Sequence, residues 1–210
     1  MAHLVWDWNG TLLDDLWLVV EATNASLATY GAGPVTADEH RRDFRRPVAD
    51  YYAGVLGRPV DAEEFAQLDK VFHEAYRSGL HRCALTEGAA EAMAAWPGTQ
   101  SLLSMYFHDE LVPAVSVHGL VAKLSRVDGL RVGANGMPKA PFLASHLDAL
   151  GVAGEDCVLI GDSIDDADAA AAVGARIVLY SGGFTDEERL RATGHPVART
   201  LSAAIALAVR

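Results

Sequence analysis

His3-Leu4-Val5-Trp6-Asp7-Trp8-Asn9-Gly10-Thr11 is an apolar run that ends on a turn. Residues 3–8 read as a short buried strand, since bulky β-branched and aromatic residues favour a pleated, packed surface. Asn9-Gly10-Thr11 supplies the turn signal. Asp7 thus ends a strand, and in open α/β sheets ligands bind in the crevice beyond the carboxyl ends of the strands. A turn aspartate that satisfies its own loop would have the same local sequence, so Asp7 needs partners elsewhere in the chain.

Working outward, residues from about 14 to 85 have helical periodicity. Leu16, Val19, Val20, Thr23 and Leu27 share one face, and Gly31-Ala32-Gly33-Pro34 ends that helix. Thr36 and Glu39 have the spacing of a capping box. Further helices are expected over about 47–57 and 61–79, and no strand is expected in this stretch. After residue 86 the rhythm changes. Helices over 87–96, near 108–121, over 139–150 and over 165–173 alternate with strands over 100–105, 126–132, 157–161 and 176–180. Such alternation predicts a parallel α/β sheet wrapped on both faces. The expected architecture is a Rossmann-like core of residues 1–14 and 86–210, with an α-helical cap inserted over 15–85.

Composition narrows the partners. The chain has 210 residues, of which 50% are hydrophobic and 21% charged, enough for one core and a small accessory domain. A formal net charge of -11 disfavours nucleic acid, whose phosphates call for a basic surface. No apolar run is long enough to span a bilayer, and the N-terminus lacks the pattern of a signal peptide. Cys83 and Cys157 are too few for a disulfide framework, so a reducing cytoplasm is the expected compartment. A monomer or weak homo-oligomer is expected. The acidity poses a question, because an anionic substrate needs local positive charge.

Three further strand ends carry polar groups. Ser104 closes the strand of Leu102 and Leu103, and its hydroxyl could hold a phosphate oxygen. Lys139 opens a helix and can set a point charge beside phosphate and carboxylate. Gly161-Asp162-Ser163-Ile164-Asp165-Asp166 follows the strand Val158-Leu159-Ile160. Clustered carboxylates repel one another unless a cation compensates, and hard oxygen donors suit Mg²⁺. An acidic helix start that complements the helix dipole is the plainer alternative.

In this order and spacing, the four sites resemble the haloacid-dehalogenase-like hydrolase superfamily. Asp7-Trp8-Asn9-Gly10-Thr11 is similar to its first motif, Asp-x-Asp-Gly-Thr. Ser104 is similar to the second, Pro138-Lys139-Ala140-Pro141 to the third, and Gly161 through Gly174 to the fourth. The resemblance implies a phosphatase acting on a small phosphorylated metabolite through an aspartyl phosphate on Asp7. It implies Mg²⁺ on Asp7, the Asn9 backbone carbonyl and Asp162, with Asp166 in support. It implies that Thr11, Ser104 and Lys139 hold the phosphoryl group. Dehalogenase chemistry on the same nucleophile is disfavoured by the acidic cluster at 162–166.

Position 9 departs from the family pattern. An aspartate there serves as general acid and base, roles that an amide cannot fill and that are worth roughly 10² to 10⁴ in rate. Three consequences are open: a substrate with a good leaving group, a replacement group among Asp14, Asp15 and His108, or a catalytically weak phospholigand-binding or regulatory protein. Met105 also departs, where an asparagine is common. Arg41, Arg42, Arg45 and Arg46 form the one dense basic cluster. Arg45 and Arg46 are the candidates for greeting a second anionic group of the substrate.

Overall fold

The computed structural model describes residues 2–131 and 137–210. The chain begins with β1 (His3–Trp6), β2 (Leu13–Asp14), α1 (Leu16–Ala28), α2 (Ala37–Asp43), α3 (Val48–Leu56), α4 (Ala62–Gly79) and β3 (Ala84–Leu85). It continues with α5 (Ala89–Ala95), β4 (Gln100–Phe107), α6 (His108–Val117), β5 (Val127–Leu130) and α7 (Ala140–Leu150). It ends with β6 (Cys157–Gly161), α8 (Ile164–Val173), β7 (Arg176–Tyr180), α9 (Glu187–Ala192), β8 (Val197–Ala198) and α10 (Leu201–Ala208).

Six strands form one sheet in the order β5-β4-β1-β6-β7-β8, and every pairing is parallel. The expected α/β class is therefore the observed one. Leu4 and Trp6 face one core, together with Val158 and Ile160 of β6. Val5 and Leu159 face the other. This alternation follows from the two-residue period of a strand, and burial on both faces explains why the strands read as unbroken apolar runs. Truncating Trp6, fully buried beside Leu4, should cost about 3–5 kcal/mol.

Residues 15–85 lie between β1 and β4 and hold α1 to α4. The Thr36–Glu39 capping box forms as its spacing predicts, and Asp61 and Glu64 make a second. The far end of this segment has a small core of Leu27, Tyr52 and Leu68. Its near end, with Leu18, Val19, Ala22 and Tyr76, merges into the core under the sheet.

The structure corrects several expected elements. β2 and β3 pair antiparallel where the chain leaves and re-enters the core, with Leu13 opposite Leu85. Two-residue strands are too short to leave an alternating pattern. β1 stops at Trp6, and β4 runs past Met105 to Phe107. The strand expected over 126–132 is β5, and Val132 lies outside the described residues. The last strand β8 and the helices α9 and α10 were not expected at all.

The central strand β1 lies between β4 and β6, so the direction of strand order reverses around it. Its carboxyl end therefore opens into the crevice where this architecture holds ligands.

Candidate active site

Asp7 follows β1 and Asp162 follows β6, and the two strands pair along their length, with Trp6 opposite Ile160. Asp166 enters on the first turn of α8, where it closes a capping box with Ser163. One carboxylate oxygen from each of Asp7, Asp162 and Asp166 lies within 4.8 Å of the others, and all three residues are buried. Lys139 is 2% exposed and joins them, its Nζ donating to Asp7 Oδ1 at 2.7 Å and to Asp166 Oδ1 at 2.5 Å.

The charges of this cluster do not balance by themselves. Burial pushes the Asp7 carboxyl up to about 6, although the Lys139 ammonium pulls it back. Burial, with Asp7 and Asp166 close by, pushes Asp162 well above the usual carboxylate range. Burial also works against the Lys139 charge, but Asp166 and Asp7 outweigh it and hold the ammonium protonated. One ammonium thus faces three carboxylates, and a divalent cation would supply the missing charge. The donors are all hard oxygens, which fits Mg²⁺ or a similar ion rather than a soft metal.

The local backbone is built around Asp162. Its Oδ1 accepts from Thr11 Oγ1 at 2.9 Å, and its Oδ2 accepts from the Phe184 backbone N–H at 2.6 Å. A Cβ at Gly183 would collide with the Asp162 carboxylate and with the Gly10 carbonyl. Sequence reading missed Gly183 and Phe184. The signal was present, since Ser181-Gly182-Gly183-Phe184 follows a strand end, and glycine there marks a close approach.

Other expected site residues are placed as follows. Ser104 lines the main cavity and donates to Asn9 Oδ1 at 3.0 Å. It lies inside β4 rather than at its end, where pairing with β5 shifts register between Leu103 and Phe107. Thr11, expected on the phosphoryl group, is fully buried and lies outside the cavity lining, because its hydroxyl is engaged with Asp162. Asn9 donates through Nδ2 to Asp15 Oδ2 at 2.9 Å and to the Tyr76 hydroxyl at 2.8 Å. Met105 lines the cavity.

None of the three proposed substitutes for an acid at position 9 lines the main cavity. Asp14 is exposed on β2, and His108 Nδ1 accepts the Gly129 N–H. Asp15 is fully buried behind Asn9, where burial raises it to about 6. The residue that does link Asn9, Asp15 and the cavity is Tyr76, whose hydroxyl donates to Asp15 Oδ2 at 2.7 Å. Sequence reading missed it, because a tyrosine on a long amphipathic helix looks like ordinary packing.

The arginine cluster divides between the cavity wall and the neighbouring loop. Arg46 lines the cavity but pairs with Asp165 at 3.4 Å, and Arg45 lies outside the lining and donates to the Asp43 carbonyl. Arg41 donates to the carbonyls of Gly183 and Gly182, while Arg189 donates back to those of Arg41 and Phe44. These bonds clasp residues 41–44 onto the loop that holds Asp162. Among the described residues, no helix is long and apolar enough to cross a membrane.

A family model described as HAD-hydrolase-like matches residues 134–204. A phosphoglycolate phosphatase of Chromobacterium violaceum is 26% identical over 204 residues, covering 90% of this chain and 89% of the relative. A phosphoglycolate phosphatase of Caulobacter vibrioides is 27% identical over 206 residues, covering 89% of this chain and 81% of the relative. A haloacid-dehalogenase-like family hydrolase of Streptococcus pneumoniae superposes with a TM-score of 0.83 at 14% identity, covering 99% of this chain and 98% of that one. The last likeness is one of fold.

Proposed function

We infer that this chain, a phosphatase of the haloacid-dehalogenase-like superfamily, hydrolyses a small phosphorylated metabolite through a covalent phosphoryl group on Asp7. The observation that carries the reading is the meeting of Asp7, Asp162 and Asp166 within 4.8 Å, with Lys139 Nζ 2.7 Å from Asp7.

Asp7 uses one carboxylate oxygen to accept from Lys139, which leaves the other to attack phosphorus. The new oxygen–phosphorus bond forms as the bond to the leaving oxygen breaks, and water then releases phosphate and restores the carboxylate. Lys139 keeps Asp7 charged and fixes its direction of approach. Ser104, on the cavity wall, is placed to donate to a phosphoryl oxygen once its bond to Asn9 is exchanged. Asp7, Asp162 and the Asn9 backbone carbonyl would hold Mg²⁺. Asp166 acts from behind, since both its oxygens already accept, from Lys139 and from Ser163. When bound, the ion neutralises charge shared by nucleophile and phosphate. Residues 15–85 serve as a cap whose α2 and α4 wall the leaving-group side and exclude water.

Asn9 holds no proton to give, so the reading favours substrates whose leaving oxygen departs as an anion. Replacing Asp7 with Ala should abolish Mg²⁺-dependent phosphate release from acetyl phosphate, and undiminished turnover would refute the nucleophile. A second reading, a phospholigand-binding protein with slow turnover, draws on the amide at position 9 and on the absence of Asp14, Asp15 and His108 from the cavity wall. Tight calorimetric binding of a phosphorylated metabolite without release would favour it.

A further inference from the structure

The cavity above Asp7 has a volume of about 240 Å³, and many of the residues that line it carry rings. Five of the chain's six phenylalanines line it, namely Phe44, Phe65, Phe72, Phe107 and Phe184, leaving only Phe142 elsewhere. All five are half-buried, so each keeps accessible ring surface beside the cavity. Phe72 stacks on Tyr76 with centroids 5.8 Å apart and planes 13° apart, and Phe44 meets Phe184 edge-on at 6.5 Å. A soluble core would bury such rings against one another; here they surround space.

The same wall has little to offer a charged leaving group. Among the described residues its Lys and Arg side chains are Lys139 and Arg46, and both are paired with carboxylates. The carboxylate on α4, Asp69, lies 3.3 Å from His73 Nε2. Apart from carboxylates, the wall's remaining polar groups among the described residues are uncharged. They are chiefly tyrosine hydroxyls and the imidazoles of His40 and His73, whose Nε2 and Nδ1 respectively are buried without a partner. A second carboxylate, as in phosphoglycolate, would therefore lose hydration there without an opposite charge. An enclosed apolar cavity of roughly 150 Å³ takes a benzene ring. The volume here thus suits one ring with a phosphoryl group at Asp7.

We propose that the substrate is the phosphate monoester of an uncharged phenol, an aryl phosphate whose ring sits among Phe44, Phe72, Phe107 and Phe184 while its phosphorus faces Asp7. The proposal rests on the hydrolase reading above and names its substrate class. It also answers the missing acid at position 9. A phenolic oxygen has a pKa of about 10, far below that of an alkanol, and leaves as phenolate with its electron pair. Attack forms the Asp7 oxygen–phosphorus bond and breaks the phosphorus–phenolic oxygen bond. Water then cleaves the acyl phosphate, giving back the Asp7 carboxylate and free phosphate.

The test separates ring recognition from turnover. Calorimetry on the Mg²⁺-loaded full chain compares three phosphonates that cannot be hydrolysed: benzylphosphonate, phosphonoacetate and 2-aminoethylphosphonate. Burying a ring removes apolar surface from water, so benzylphosphonate should bind at least about tenfold more tightly than the other two. In Phe72→Ala, the preference for benzylphosphonate over phosphonoacetate should fall by about tenfold. With Mg²⁺, phenyl phosphate should be hydrolysed with a higher kcat/KM than phosphoglycolate. Equal or tighter binding of phosphonoacetate or of the cationic phosphonate overturns the proposal, as does a preference that Phe72→Ala leaves unmoved. If benzylphosphonate is preferred but neither phenyl phosphate nor acetyl phosphate is hydrolysed, ring recognition stands and the hydrolase reading falls.

Discussion

Asn9 and Asp15 are bonded side by side, the amide nitrogen of one donating to the carboxylate of the other at 2.9 Å. Asp15 is fully buried, and it also accepts from the Tyr76 hydroxyl at 2.7 Å and from the Gly10 N–H at 2.7 Å. Three donors thus surround one buried carboxylate, and two of them lie in the first turn after Asp7. The aspartate usual at position 9 would set two carboxylates against each other here. Asn9→Asp alone should therefore not act as a simple repair. Above pH 7 it should lose roughly 1–3 kcal/mol of stability, the usual size for a lost buried donor to a charged acceptor. Asn9→Asp with Asp15→Asn restores one donor and one acceptor and should recover most of that loss. Urea unfolding of the wild type, both single variants and the double variant gives the coupling. Additive single effects would mean that the two residues act independently.

Much of this arrangement was legible in the sequence, and the reason is local. Asp7 and Asp162 each follow an apolar strand, and a strand end in a parallel sheet opens to the crevice whatever the rest of the chain does. Asp15 was readable only as a candidate, because its partner Tyr76 lies 61 residues away. The cavity wall was less legible still. Phe44, Phe72, Phe107 and Phe184 come from four separate stretches, and each alone reads as core. The arginine cluster was legible only in part, for Arg46 does line the cavity. Its density suggested a ligand site, but Arg41 is engaged with backbone carbonyls 141 and 142 residues along the chain.

Gly183 should tolerate no side chain. Its Cβ position is occupied by the Asp162 carboxylate and the Gly10 carbonyl, so Gly183→Ala must push Asp162 away from Asp7 or displace the loop. Because β7 ends at Tyr180, the disturbance should stay beyond the sheet. Mg²⁺ affinity, read by calorimetry, should fall at least about tenfold, the scale seen when groups that orient a metal ligand are lost. A variant that binds Mg²⁺ like the wild type would show that the Asp162 position is not fixed by this contact.

Metal binding should depend on pH in a definite direction. Without an ion, burial raises Asp7 to about 6 and holds Asp162 well above its usual range. Both must be ionised to hold a cation, so binding releases protons when the pH lies below those values. Mg²⁺ affinity should therefore rise as the pH is taken from about 5 to 7.5, and the thermal stabilisation by a fixed Mg²⁺ concentration should rise with it. Carboxylates that were already ionised would give a shift independent of pH over that range.

Away from the crevice, a buried polar chain should make stability fall on acidification. His3 Nε2 lies 2.7 Å from Ser101 Oγ, which lies 2.7 Å from His146 Nε2, and His146 Nδ1 lies 2.7 Å from Asp128 Oδ2. The order of aspartate, histidine and serine resembles a nucleophilic triad, but Ser101 is fully buried and outside the main cavity lining, so the chain ties β1, β4, β5 and α7 together instead. Burial, and then the neighbouring His146, lowers His3 to about 4. Burial also lowers His146, against the pull of Asp128. Between about 4 and the ordinary value of 6.5, the unfolded chain binds a proton at His3 that the folded chain does not. The His3 contribution is therefore complete above pH 6.5 and is lost as the pH falls toward 4, a change on the order of 1–2 kcal/mol once solvent screening is allowed for. The raised carboxylates Asp7, Asp15 and Asp162 act in the opposite sense, so the wild-type curve alone does not isolate it. Comparison with His3→Gln, which keeps a polar side chain but does not titrate, removes the common part. The stability of the wild type relative to this variant should shrink from pH 7 to pH 4.5, and a difference constant across that interval would show that His3 titrates alike in both states.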